Sequence, residues 1–336
     1  MIRLLSFLLV LPLIVFFTVN VGDLVLKYRN SALTQPPVPV YVPQQIVGRK
    51  DLQEVDVLIV GGSSTREFFG HDTALDDILS AQCGGRTRGF NAATSSQSLS
   101  ESLAVIDLYR AHVGDPDVIV VGLTTRRLSL PDYDPLAQAG LFNLALAPSS
   151  SSFSWYEWPV RVLSSATGAL QRFSGFASLL SPSSTFNLDG IHPPHPAAPY
   201  DGREPLSLAQ RTSMSVVWAE IIDSDAVIHA ERSARWGAGA LDRATNDIPV
   251  VYLMTPVSPA SAPLAYPDSD SEVMQRSIQH LTGNNPFLDL RDSGALGLTD
   301  ADFWDEQHLI LAGRERLWAQ GLPSFAQALC SAIDRR

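Results

Sequence analysis

The run Asp117-Val118-Ile119-Val120-Val121-Gly122-Leu123 constrains the fold of this chain more than any other segment. It is short, β-branched and apolar on both faces. A strand of that kind has no side to give to water, so it belongs in a parallel sheet covered by helices above and below. Residues 55–60 repeat the pattern and end at Gly61-Gly62, a strand running into a tight turn. Two further apolar runs, 248–254 and 287–290, read as buried strands. Helical spacing fills the intervals. It predicts a short helix over 74–80 and a longer one over 99–113, where Leu103, Ile106, Leu108, Tyr109 and Val113 recur at helical spacing. Further helices are predicted over 208–229, 232–243 with a break near Gly237 and Gly239, 272–281, and 311–333 with a break at 321–323. Strand and helix alternate, which predicts an α/β three-layer sandwich around a central, mostly parallel sheet.

The amino-terminal part is of another kind. Residues 4–21 are an 18-residue apolar run broken only by Ser6, Pro12, Thr18 and Asn20. That is long enough to span a bilayer as a helix, and no small-x-small cleavage motif follows it. Residues 1–22 are therefore expected to be an uncleaved transmembrane signal anchor, with a cleaved signal as the alternative. Pro36, Pro37, Pro39 and Pro43 hold the next stretch extended, so 23–50 is expected to be a stiff linker. The positive-inside rule does not choose an orientation, because Arg3 precedes the run and Lys27 and Arg29 follow it. Residues 51–336 form the predicted body, with an irregular insertion over about 131–207 that is rich in serine and proline.

Charge narrows the partners. The chain carries 24 Lys+Arg and 35 Asp+Glu, a net of −11. Arg3, Lys27, Arg29, Arg49 and Lys50 against Asp23 make the first fifty residues +4, which leaves −15 on the body. No lysine follows Lys50. An acidic body of this kind excludes nucleic acid as a partner, since a phosphate backbone needs a basic surface. Two cysteines, Cys83 and Cys330, are too few for a disulfide framework or a zinc knuckle. One bridge between them is open in an oxidising compartment. Nothing in the sequence brings their Cα atoms together, and the expectation falls against it.

Two short segments carry chemistry. Gly61-Gly62-Ser63-Ser64-Thr65 directly follows the first strand, where ligands bind in open α/β sheets. A serine on that turn exposes its hydroxyl; read alone, the segment reads first as a glycine turn with helix-capping serines. Asp305-Glu306-Gln307-His308-Leu309 precedes the last helix. A nucleophilic serine needs a base, and the base needs a carboxylate on its other ring nitrogen. Asp and His three residues apart on one turn supply both. Other groups are weaker. His192 and His195 are too few for a metal site and read as proline-stiffened surface histidines. Phe153, Trp155, Tyr156 and Trp158 read as packing under a loop before they read as a sugar platform, and Arg126-Arg127 either clamps an anion or ends a strand in solvent. No metal site, phosphate-binding glycine motif or cofactor is expected.

Taken together and in this order, the two segments resemble the SGNH/GDSL hydrolase superfamily. Gly61-Gly62-Ser63-Ser64-Thr65 resembles its first block, and Asp305, His308, Leu309 and Gly313 its last. Phe90-Asn91-Ala92-Ala93-Thr94-Ser95-Ser96 resembles the second block, and Gly122-Leu123-Thr124-Thr125 falls where the third would be. The resemblance covers about 55–330 without the insertion, and it implies a flavodoxin-like outline. It also implies a triad of Ser63 as nucleophile, His308 as general base and Asp305 as its orienter. Ser64 is the nucleophile if the register shifts by one. The chain departs from the pattern at Gly62, where the family has Asp, at Ser96, where it has Gly, and at Thr124, near the place of an asparagine that donates to the oxyanion. The backbone N–H groups of Ser63 and Ser96, with Thr124 and Asn91, are what remain to bind the oxyanion or substrate. Losing one preorganised donor costs about 10²–10³ in rate.

The resemblance implies a serine esterase or acyltransferase acting on an ester of a cell-envelope glycan, an O-acetyl ester first. Anchored members of this layout resemble the extracytoplasmic proteins of polysaccharide O-acetylation and teichoic acid D-alanylation. That implies a body outside the cytoplasm, a carbohydrate or acyl-ester substrate, and a membrane-bound O-acyltransferase as partner. The other reading is a non-catalytic subunit of an envelope-modifying complex.

Overall fold

The computed structural model describes Val42, Ile46 and residues 51–334, except 71, 84, 95, 96, 98, 129–201, 222–225 and 261–271. Among them a five-stranded sheet is built from β1 (Val57–Val60), β2 (Gly89–Asn91), β3 (Val118–Leu123), β4 (Val250–Met254) and β5 (Phe287–Asp289). Its order is β2-β1-β3-β4-β5, and every pairing is parallel. The helices are α1 (Ser63–Phe69), α2 (Asp72–Cys83), α3 (Leu99–His112), α4 (Thr125–Leu128), α5 (Leu208–Ile221), α6 (Ala226–Thr245), α7 (Glu272–Thr282) and α8 (Leu311–Ile333).

Strand alternation divides the core in two. Val57, Ile59, Val118, Val120, Val251 and Leu253 point to one face, where Phe68, Phe69, Leu75, Leu79, Leu317 and Leu329 of α1, α2 and α8 cover them. Leu58, Val60, Ile119, Val121, Tyr252 and Met254 point to the other, under Leu103, Ile106, Leu241 and Ile278 of α3, α6 and α7. Both faces are dry, as the doubly apolar strands required. After β1 the chain crosses to one face, and after β2 it crosses to the other. The carboxyl ends of β1 and β3 therefore flank the point where the topology reverses, with Val60 level with Val121. Ligands of open parallel sheets bind in the crevice at that point.

Several expectations are corrected. β2 is a strand, although Gly89-Phe90-Asn91 is too short to show a pattern of its own. α6 passes straight through Gly237 and Gly239. At Gly237 a Cβ would overlap Leu99 and press on Leu281, so this glycine marks close packing of α6 on α3 and α7 and not a break. α8 likewise runs through 321–323. Cys83 and Cys330 are bridged, with Cα atoms 5.2 Å apart. They meet because α2 and α8 lie on one face, sharing the cluster of Leu75, Leu79, Leu329 and Ala332. The end of the predicted linker belongs to the body: Val42 and Ile46 are helical and buried in the core of the other face. Their four-residue spacing puts both on one side of a helix. The predicted anchor, the rest of the linker and most of the insertion lie outside the described residues. Among the described residues no helix is long and apolar enough to cross a membrane.

Candidate active site

The nucleophile turn is set by two glycines. Gly61 has φ +148°, a conformation that side chains resist. A Cβ there would also crowd Thr65 Oγ1 at 2.7 Å and the carbonyl oxygen of Gly122 at 2.9 Å. Gly122 of β3 is needed for the same reason, since a Cβ would overlap the Thr65 side chain. Thr65 thus seats α1 directly on β3. The Gly61 N–H donates to Gln97 Oε1 at 2.6 Å, and the Gly61 carbonyl accepts the Thr94 N–H at 3.0 Å. Gly62 is the N-cap of α1, and Ser63 is the first helical residue. Ser63 stays partly exposed while Ser64 is buried.

The base sits on a closed loop. Phe303 and Leu309 form an antiparallel bridge, and the Trp304 N–H donates to the His308 carbonyl at 2.8 Å. Within this loop Asp305 Oδ1 accepts the N–H groups of Gln307 at 3.0 Å and His308 at 2.8 Å. The His308 ring lies between its two partners. Nδ1 is 2.8 and 2.7 Å from the Asp305 carboxylate oxygens, and Nε2 is 2.7 Å from Ser63 Oγ. A carboxylate can only accept, so Nδ1 carries the proton and Nε2 is free to accept from the Ser63 hydroxyl. Burial pushes the Asp305 carboxyl up. The imidazole of His308 and the two backbone N–H groups outweigh it and hold the group below its ordinary value. Glycine serves this loop too. A Cβ on Gly313 would overlap the backbone carbonyl of Asp302, so only glycine lets α8 start this close to the loop.

The structure brings Ser63, His308 and Asp305 into one chain of hydrogen bonds across 245 residues of sequence. Ser63, and not Ser64, faces the base. Thr124 follows β3, buried at the same sheet edge, with its carbonyl accepting the Leu128 N–H. Asn91 has a different task from substrate binding. It is 1% exposed, and its amide donates to the carbonyls of Arg66 at 3.1 Å and Gly70 at 2.9 Å, closing the end of α1. Both N–H groups are thereby committed to the backbone. Ser96, the aromatic patch at 153–158, His192 and His195 lie outside the described residues, and Arg126 and Arg127 are placed only as backbone of α4. Among the described residues no cluster of His, Cys, Asp and Glu could hold a metal ion.

Two polar residues that no motif announces build the site's frame. Gln97 is buried; besides accepting from Gly61, its Oε1 accepts from Ser102 Oγ, and its Nε2 donates to the Ala92 carbonyl. It ties the nucleophile turn to the segment after β2. Arg211 of α5 is buried against the base loop. Its guanidinium donates to the carbonyls of Phe303 at 2.6 Å and Leu206 at 2.9 Å, and to Ser258 Oγ at 3.3 Å. Neither shows in sequence, because the contact that matters in each joins it to a backbone group far along the chain, Gly61 for Gln97 and Phe303 for Arg211. At the rim, Trp304 leans toward His308 with ring centroids 6.4 Å apart, and the Arg203 guanidinium lies over the Trp304 ring at 5.2 Å. No protein-family model matches this chain, and no curated protein matches it either.

Proposed function

We propose that this protein is a serine esterase or acyltransferase of the SGNH type, acting on an ester of a cell-envelope glycan from a membrane anchor. The observation that carries the reading is the hydrogen-bond chain Ser63–His308–Asp305, with the serine partly exposed beyond the carboxyl end of β1. In this reading Ser63 Oγ attacks the ester carbonyl as its proton passes to His308 Nε2. The imidazolium is held by Asp305. His308 then returns the proton to the departing alcohol, leaving an acyl group on Ser63. Water releases it as the acid, or a sugar hydroxyl accepts it; in each case the attacking group gives a proton to His308 Nε2, which passes it to Ser63 Oγ as the acyl bond breaks. In this reading the backbone N–H of Ser63, the first residue of α1, donates to the oxyanion. The Cys83–Cys330 bridge supports a body in an oxidising compartment, because such bonds are rare where thiols are kept reduced.

The test uses the detergent-solubilised full chain. A fluorophosphonate should form one covalent adduct, found on the peptide containing Ser63 by mass spectrometry. Hydrolysis of a small acetyl ester should fall to background in Ser63→Ala and persist in Ser64→Ala. Reactivity surviving in Ser63→Ala would remove the nucleophile. A chain that neither labels nor hydrolyses would favour the non-catalytic reading, to which the threonine at the oxyanion asparagine's place also lends weight.

A further inference from the structure

The base loop is held from outside mainly through its carbonyls. Leu206 N–H donates to the Trp304 carbonyl at 2.9 Å, and Ser258 N–H to the Glu306 carbonyl at 2.8 Å. Arg211 Nη2 takes the Phe303 carbonyl, and its other nitrogens reach Leu206 and Ser258, the same two segments. Arg211 is thus one side chain in contact with the loop and with both segments that hold it, through the carbonyls of Phe303 and Leu206 and the hydroxyl of Ser258. It is 2% exposed, and its Nη1 lies 3.9 Å from Asp300 Oδ1. Burial disfavours its charge, while the carboxylates of Asp300, Asp305 and Glu306 favour it. A planar fork with several fixed donors suits this junction, and a lysine would not reproduce it.

We propose that Arg211 is the positioning residue of the triad: its fork fixes the Asp305–His308 loop at hydrogen-bond reach of Ser63, and its charge balances the carboxylates of Asp305 and Glu306 behind the imidazole. The inference rests on the Ser63 reading above. Asp305 and Ser63 touch the His308 ring, and Arg211 with Glu306 lies behind the loop. Arg314 of α8 is buried with its guanidinium turned to the Glu67 carbonyl of α1, and the other cations at the loop are Arg203, exposed over Trp304, and Arg316, about half exposed on Asp302. Solvent screens those two.

The experiment measures the rate of fluorophosphonate reaction at Ser63 against pH in the full chain, because the acid limb of that profile reports His308 in the free protein. Removing a buried cation favours the imidazolium. Arg211→Met is therefore expected to move the acid limb to higher pH by about half a unit or more. Arg211→Lys keeps the charge and loses the fork. It is expected to leave the limb in place while the plateau rate falls about 10–100-fold, the cost of a small misplacement. A limb unmoved in folded Arg211→Met overturns the electrostatic part, and a full plateau in Arg211→Lys overturns the positioning part. Where Arg211→Met does not fold, Arg211→Lys alone decides the proposal. An unreactive Ser63 in the unmutated chain overturns the nucleophile reading and this inference with it; unaltered profiles beside a reactive wild type overturn the inference alone.

Discussion

At the scale of single residues, the site is a hydrogen-bonded chain of three groups whose donor and acceptor roles follow from their partners. Asp305 is the part most open to test. Asparagine in its place keeps the shape of the loop but offers an N–H to Nδ1 where the carboxylate only accepts. The imidazole then turns to the wrong tautomer, and Nε2 no longer accepts from Ser63. Asp305→Asn should slow acylation of Ser63 about 10³–10⁴-fold, read by burst kinetics with an activated ester. The pH dependence has a defined sign as well. A carboxyl held below its ordinary value contributes stability that is complete above the unfolded pKa of about 3.9 and is lost as pH falls through the lower folded value. Acid titration of the unfolding free energy should therefore be shallower in Asp305→Asn than in the wild type. The hydrogen-bonded trio was legible in the sequence because such chemistry uses few residue types, here one directly after a strand and two just before the last helix. Asn91 was legible as a polar residue in a motif but not in its task. A side chain amide serves a ligand and a helix carbonyl equally well, and only its partners distinguish the two.

Between elements, the decisive contacts are made by residues with nothing beyond Cα. Thr65 over Gly122 seats α1 on β3, and Gly313 lets α8 begin against the Asp302 carbonyl. Helix and loop meet there through backbone, so the obstacle cannot rotate away. Gly313→Ala should lower stability by about 1–3 kcal/mol in urea unfolding, with a matching drop in the reactivity of Ser63 as the base loop shifts. Gly237→Ala meets the ends of Leu99 and Leu281 side chains, which can give, and gains helix propensity; its cost should be smaller. This contrast also explains what the sequence concealed. Gly237 and Gly239 predict a broken helix on propensity alone. The packing of α6 on α3 needs the missing Cβ more than the helix minds it. β2 was hidden for a different reason, because three residues cannot display a period.

For the whole molecule, the strands were readable because a sheet buried on both faces writes its own signature. The Cys83–Cys330 bridge was not, because it depends on α2 and α8 lying side by side, a fact of topology. Its removal in the Cys83→Ser/Cys330→Ser pair should lower stability by about 3–5 kcal/mol, through the freedom returned to an unfolded chain cross-linked over 247 residues. Added reductant should reproduce the shift in the wild type and leave the double variant unchanged. The same arrangement has a consequence for biosynthesis. Ser63 and Cys83 are made early, and His308 and Cys330 are made more than two hundred residues later. While the chain is being synthesised, Ser63 has no His308 to meet and Cys83 no Cys330. Both are completed by the last helix and the loop before it. An unfinished chain therefore holds neither the Ser63–His308 hydrogen bond nor the Cys83–Cys330 bridge, and both wait on the same last stretch of sequence.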